Sequence, residues 1–105
     1  MKGIYFINEQ IHINDFSREE SIEIQKQALL NYIEAARMEP VKLNPYQLYT
    51  HYTIPHALLY DLRLHKRQLD CLLMYSRNSI DDFAETYPAR WLIIKSYFNR
   101  ILTVV

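Results

Sequence analysis

The stretch "LDCLLMYSRNSIDDF", Leu69 to Phe83, decides how this chain is read. After Asp70 the apolar residues run unbroken from Cys71 to Met74, the pattern of a strand covered on both faces. Leu69 to Tyr75 is therefore expected to be a buried strand. A polar bend from Ser76 follows, and Asp81-Asp82 supplies the acids that favour the start of a helix. In α/β folds, ligands bind outside the carboxyl ends of such strands, so the bend is the first place to look for a site.

Upstream, Gly3 to Ile7 is a second run of this kind and predicts the first strand. Asn8 to Phe16 is polar and irregular, a long loop. Ser17 with Glu20 matches a capping box, and a helix is expected from there to about Met38, stopped by Pro40. Its apolar face is expected to carry Ile22, Leu29, Ile33 and Ala36. Another strand is expected to begin at Val41, followed by a turn at Asn44-Pro45 and a loop carrying Tyr46, Tyr49, His51 and Tyr52. A second helix starts near Ile54 with Pro55 in its first turn. Beyond the bend, Ser79 or Asp81 is expected to cap a third helix that reaches Phe98, kinks at Pro88, and buries Phe83, Trp91, Ile94 and Phe98. Arg100 to Val105 is the last strand. The alternation predicts one α/β domain over 1–105 with a four-stranded, mainly parallel sheet and right-handed crossovers.

Composition narrows the function. The chain has 105 residues, half of them hydrophobic, which suits a single core. Twelve basic residues balance twelve acidic ones, which argues against a broad electrostatic hold on DNA or on an anionic membrane. Cys71 is the only cysteine, so an intrachain disulfide is impossible; a buried, inert thiol in a cytoplasmic protein is expected. No apolar run approaches the roughly 20 residues of a membrane span. With Gly3 the sole glycine, neither a P-loop nor a dinucleotide fingerprint exists.

The segment "SIEIQKQALLNYIE", Ser21 to Glu34, resembles the first helix of the catalytic domain of serine recombinases, the resolvase/invertase family. The likeness lies in its Ser-hydrophobic-acid-x-Gln start and leucine-rich continuation. "GIYFINEQ" resembles the strand before that helix, which in the family reads Tyr-x-Arg-x-Ser. "LDCLLMYSRNSIDDF" resembles the family's third strand and its Asp-Arg-x-x-Arg loop. The resemblance implies the same fold, a three-layer α/β domain with sheet order 2-1-3-4, and a serine that attacks DNA phosphate while arginines stabilise the gathering negative charge. Position by position, however, the first-strand arginine falls on Ile7 and the nucleophile on Glu9. The loop becomes Asn78-Ser79-Ile80-Asp81-Asp82, and Gln25 alone keeps a polar residue of the family near the site. Acids in place of guanidinium groups would repel phosphate. The family's later dimerisation helix and DNA-binding domain are also expected to be missing.

Other chemistry is weaker. His12, His51, His56 and His65 lack zinc-ligand spacing and are expected to face solvent in loops. Asp81, Asp82 and Glu85 are expected to serve the helix dipole rather than a cation. Ser17, Ser21, Ser76 and Ser79 show no nucleophile elbow. Tyr46, Tyr49 and Tyr52 are expected to pack or to form a protein interface; base stacking would need more than Lys42 to hold a phosphate backbone. The expected function is a non-catalytic recombinase-like module that binds a protein partner and needs no cofactor or metal, from a bacterium or mobile element. A homodimer is expected as well, because a sheet edge is left to cover. The second reading is a DNA-associated accessory protein that modulates an intact recombinase.

Overall fold

The computed structural model describes residues 1–105. Four strands, β1 (Lys2–Phe6), β2 (Glu39–Pro40), β3 (Leu69–Met74) and β4 (Phe98–Thr103), form one parallel sheet in the order β2-β1-β3-β4. That is the expected order. Between them lie the helices α1 (Arg18–Ala36), α2 (Pro55–His65), α3 (Asp81–Thr86) and α4 (Pro88–Ser96). β1 pairs with β3 from Gly3 opposite Cys71 to Phe6 opposite Met74.

The pleat sorts the core into two layers. Ile4, Phe6, Leu72 and Met74 face α2, α3 and α4, where they meet Leu58, Leu62, Phe83 and Ile94. Tyr5, Ile7, Cys71 and Leu73 face the other way and meet Leu29 and Ile33 of α1 together with Met38. One helix therefore covers one face and three cover the other. Right-handed crossovers require this when the chain steps first to one side of β1 and then to the other.

Local chemistry sets the helix ends. Ser17 Oγ accepts the Glu20 N–H at 3.1 Å, and Glu20 Oε1 accepts the Ser17 N–H at 3.0 Å, the reciprocal box expected. These bonds hold the Glu20 carboxyl below the usual carboxylate range, the backbone N–H of Ser17 most of all. α1 ends earlier than expected, at Arg37, which turns left-handed at φ 53° and donates to the carbonyls of Glu34 and Ile33. Pro40, expected only as a stop, lies within β2, where an edge strand tolerates its missing N–H. The buried stripe of α1 is Ser21, Gln25, Leu29 and Ile33; Ile22 is only half-buried and Ala36 is exposed. The long loop lies over the first turns and draws polar side chains inward to answer its backbone.

The last third of the chain also shifts. Ser79 closes a 3-10 turn and Ile80 stands at the start of α3, so neither Ser79 nor Asp81 caps it. The chain breaks outright at Tyr87, between α3 and α4, with Pro88 opening the latter. Phe98 is buried as expected but on β4, which begins there rather than at Arg100. Its backbone is already aligned with Leu69 of β3, and that pairing ends the helix.

Gly3 marks the closest approach in the sheet. A Cβ there would sit 2.6 Å from Cys71 Sγ, 2.8 Å from the Cys71 carbonyl oxygen and 2.9 Å from Met38 Cε. The carbonyl belongs to a paired strand and cannot move away cheaply. Gly3→Ala is expected to destabilise the fold by about 3 kcal/mol, measured as a lower urea midpoint at unchanged m-value.

Candidate functional site

The strand order reverses between β1 and β3, so the chains leaving those strands diverge to opposite faces and open a crevice. Asn8 occupies it. Its backbone N–H donates to Gln25 Oε1 at 3.1 Å, and Gln25 Nε2 donates to the Asn8 carbonyl at 2.9 Å. The Asn8 side chain donates across the crevice to the Ser79 carbonyl at 3.0 Å. Gln25 is 0% exposed, and its amide answers both backbone groups of one residue. These bonds tie β1, α1 and the turn after β3 into one knot.

Beside the knot, the β1–α1 loop and the segment after β3 enclose an open groove of about 760 Å³. Its polar lining includes His12, Asn14, Ser76 and Asn78, with Asp81, Asp82 and Glu85 supplying the charge and no lysine or arginine among the lining residues. Asp81, Asp82 and Glu85 do not gather into a metal-ligand set.

The positions aligned with recombinase chemistry are only partly brought together. Ile7 is fully buried against α1, Gln25 lies in the knot, and Ser79 is buried beneath it. Asn78 is exposed, as is Asp82, and both line the groove. Glu9 is half-buried and gives its carbonyl to Arg18 Nε at 2.9 Å. The serines are engaged with backbone. Ser21 Oγ accepts the Ile13 N–H at 2.8 Å, Ser17 Oγ caps α1, and Ser79 Oγ faces the Ser76 N–H at 3.5 Å. The hydroxyls of Ser17, Ser21 and Ser79 are thus engaged with backbone N–H groups rather than with a basic side chain.

The tyrosine segment divides. Val41 donates to the Gly3 carbonyl at 2.8 Å, after which the chain loops away from the sheet edge. It returns at Tyr52, whose N–H donates to the Tyr5 carbonyl at 3.0 Å and whose carbonyl accepts the Ile7 N–H at 2.9 Å. Tyr46 and Tyr49 are exposed on this excursion. Tyr52, expected at an interface, is instead 6% exposed, and its hydroxyl donates to Asp61 Oδ2 at 2.7 Å. Return to the β1 edge pins its backbone, and α2 supplies the acceptor that lets the ring be buried. Burial first, then the bond and charge of Asp61, push the Tyr52 hydroxyl far above the ordinary phenol value.

One histidine departs from the solvent-facing expectation, while His56 is exposed as expected. His51 is half-buried, stacked on Tyr49 at 5.0 Å between ring centroids and tilted against Tyr5 at 5.6 Å. Burial, and secondarily Lys26, lower its pKa and favour the neutral ring. His56 lies on α2, with ring edges of Phe83 and Tyr87 against it and Arg90 Nη1 at 3.0 Å from its Nδ1. Cys71 is buried as expected; burial and then Asp70 raise its thiol pKa, which suppresses the thiolate. No helix is long and apolar enough to cross a membrane. Sequence reasoning missed Asn8 and Asp61. Only the alternation of Asp61 with Leu58, Leu59 and Leu62 on one helix hinted that an acid would turn inward. No protein family, curated protein or solved structure matches this chain.

Gln25→Leu is expected to cost about 2 kcal/mol, since both backbone groups of Asn8 lose their partners; urea denaturation measures it. For His51, a folded pKa below the unfolded value means that the unfolded chain binds more protons once the pH falls below about 6.5. His51→Gln should therefore flatten the decline in Tm between about pH 7.5 and pH 5.5 relative to the parent protein.

Proposed function

We propose that this chain is a non-catalytic, recombinase-like domain that works by contact with another protein. The observation that carries the reading is the mouth of the sheet. Where phosphoryl transfer would require a hydroxyl among guanidinium groups, this chain has a hydrogen-bonded plug and an acid-lined groove. The order β2-β1-β3-β4 agrees with the fold implied by the resemblance of Ser21 to Glu34 to the recombinase helix. A phosphate entering the groove would meet Asp81, Asp82 and Glu85 without a cation to hold it.

Contact with protein is supported by the opposite end of the exposure scale. Tyr46 is 93% exposed and Leu48 83%, and Tyr49 and Ile54 stand near them on the same excursion. Along α2, Ala57, Tyr60 and Leu64 continue an exposed apolar stripe, because residues three and four apart share a helix face. Exposed aromatic and aliphatic side chains grouped in this way are the composition of an interface centre. Cytoplasmic residence in a bacterium, or in the host of a mobile element, belongs to the same proposal.

Purified protein mixed with supercoiled duplex DNA should produce no nicks and no covalent adduct. Nicking that is abolished by replacing Ser17, Ser21, Ser76 or Ser79 with alanine would sink the proposal. Gel shifts that persist at micromolar protein and physiological salt would favour the DNA-associated accessory role instead. Affinity capture from the native cell should recover a partner that Tyr46→Ala loses.

A further inference from the structure

The excursion between Asn44 and Ile54 leans against the start of α2 and leaves a second cleft, of about 210 Å³. Asp61 lines it and is only 7% exposed. One carboxylate oxygen, Oδ2, accepts the Tyr52 hydroxyl; the other, Oδ1, accepts nothing from the protein, and no ion pair neutralises the group. Oδ1 is not sealed inside the protein; it remains open to the cleft, where an incoming donor can reach it.

A polar side chain of the same cleft is held differently. Gln47 donates through Nε2 to the carbonyls of Tyr49 at 2.6 Å and Thr50 at 3.2 Å, which fixes its amide. Its Oε1 is then buried without a donor, on a residue that lines the same cleft. The rim is apolar and aromatic, formed by Leu48, Ile54 and the Tyr49 ring stacked on His51. No lysine or arginine lines the cleft.

We propose that this cleft receives an arginine side chain presented by a protein partner, with Asp61 Oδ1 as the anchor. The inference rests on the protein-contact reading above and names the chemistry of the contact. A carboxylate oxygen open at the floor of an aromatic-rimmed cleft, with no cation of the chain lining it, calls for a donor-rich cation. A guanidinium carries five N–H groups in a planar fork, loses less hydration than an ammonium, and can lie against the Tyr49 ring. The cleft holds one long side chain, and the exposed apolar residues around it would cover the partner's flanking surface. His51, held toward its neutral form by burial and by Lys26, adds little opposing charge to the rim.

The test is an NMR titration of the full chain with a short acetylated, amidated Ala-Arg-Ala peptide, and with the same peptide carrying citrulline or lysine in place of arginine. Citrulline keeps the shape of arginine but removes its charge. The expected result is saturable shifts at the amides of Leu48, Ala57 and Asp61 with the arginine peptide, about tenfold weaker binding of the citrulline peptide, and weaker binding of the lysine peptide. Asp61→Asn should weaken the arginine peptide about tenfold. Tyr49→Ala, an exposed change that leaves the core intact, should weaken it about threefold. Equal binding of citrulline, tighter binding of lysine, or no shift at the cleft overturns the proposal. So does free arginine binding more tightly than the peptide, which would mark a small-molecule site. A captured cellular partner that is lost with Tyr46→Ala but kept with Asp61→Asn removes the arginine cleft and leaves the protein-contact reading standing.

Discussion

The reciprocal hydrogen bonds between Asn8 and Gln25 are the constraint on which the arrangement depends. A strand that ends at a topological switch point leaves a backbone N–H and a carbonyl without ladder partners, in a place where water has little access. Leaving them unanswered would be costly. Here a helix on one face supplies both answers from a single amide, and the Asn8 side chain reaches the turn on the other side. Three elements distant in sequence are thereby fixed at one point. The long loop that follows can then run over the first turn of α1, anchored where Ser21 accepts the Ile13 N–H.

The same solution occupies the hydrogen-bonding groups of the crevice. In many α/β proteins the switch-point crevice is left open, and its backbone groups and side chains are presented to a ligand. In this chain those groups are bonded to one another, and the neighbouring groove offers carboxylates. Bonds that hold the fold and bonds that would hold a ligand draw on the same groups, and at Asn8 and Gln25 they hold the fold. Polar groups left over lie elsewhere, under the loop that departs from the sheet edge and returns at Tyr52, where Gln47 Oε1 is buried without a donor and Asp61 Oδ1 opens to the cleft. That loop is also where the most exposed tyrosine and leucine stand.

Much of the fold was legible in the sequence. The unbroken run from Cys71 to Met74, the capping box at Ser17 and Glu20, and the prolines at the starts of α2 and α4 are local signals that act within a few residues. They located strands and helix starts and implied a parallel sheet, while the strand order that is found was expected from the likeness of Ser21 to Glu34 to the recombinase helix. Helix ends were harder to read. The left-handed turn at Arg37 carries no glycine to announce it, and Phe98 belongs to β4 because Leu69 stands ready to pair with it.

The site divided in a similar way. Sequence by itself determined that the bend after β3 would carry Asp81 and Asp82 with Arg77 as its one arginine, since residue types do not change on folding. Only the tertiary structure decided which polar residues would be buried and with what partners. Gln25 turned inward toward Asn8, Tyr52 toward Asp61, and His51 between two tyrosine rings. The physical reason is that a buried polar side chain is stabilised by a specific partner, and those partners stand far along the chain, beyond any local pattern.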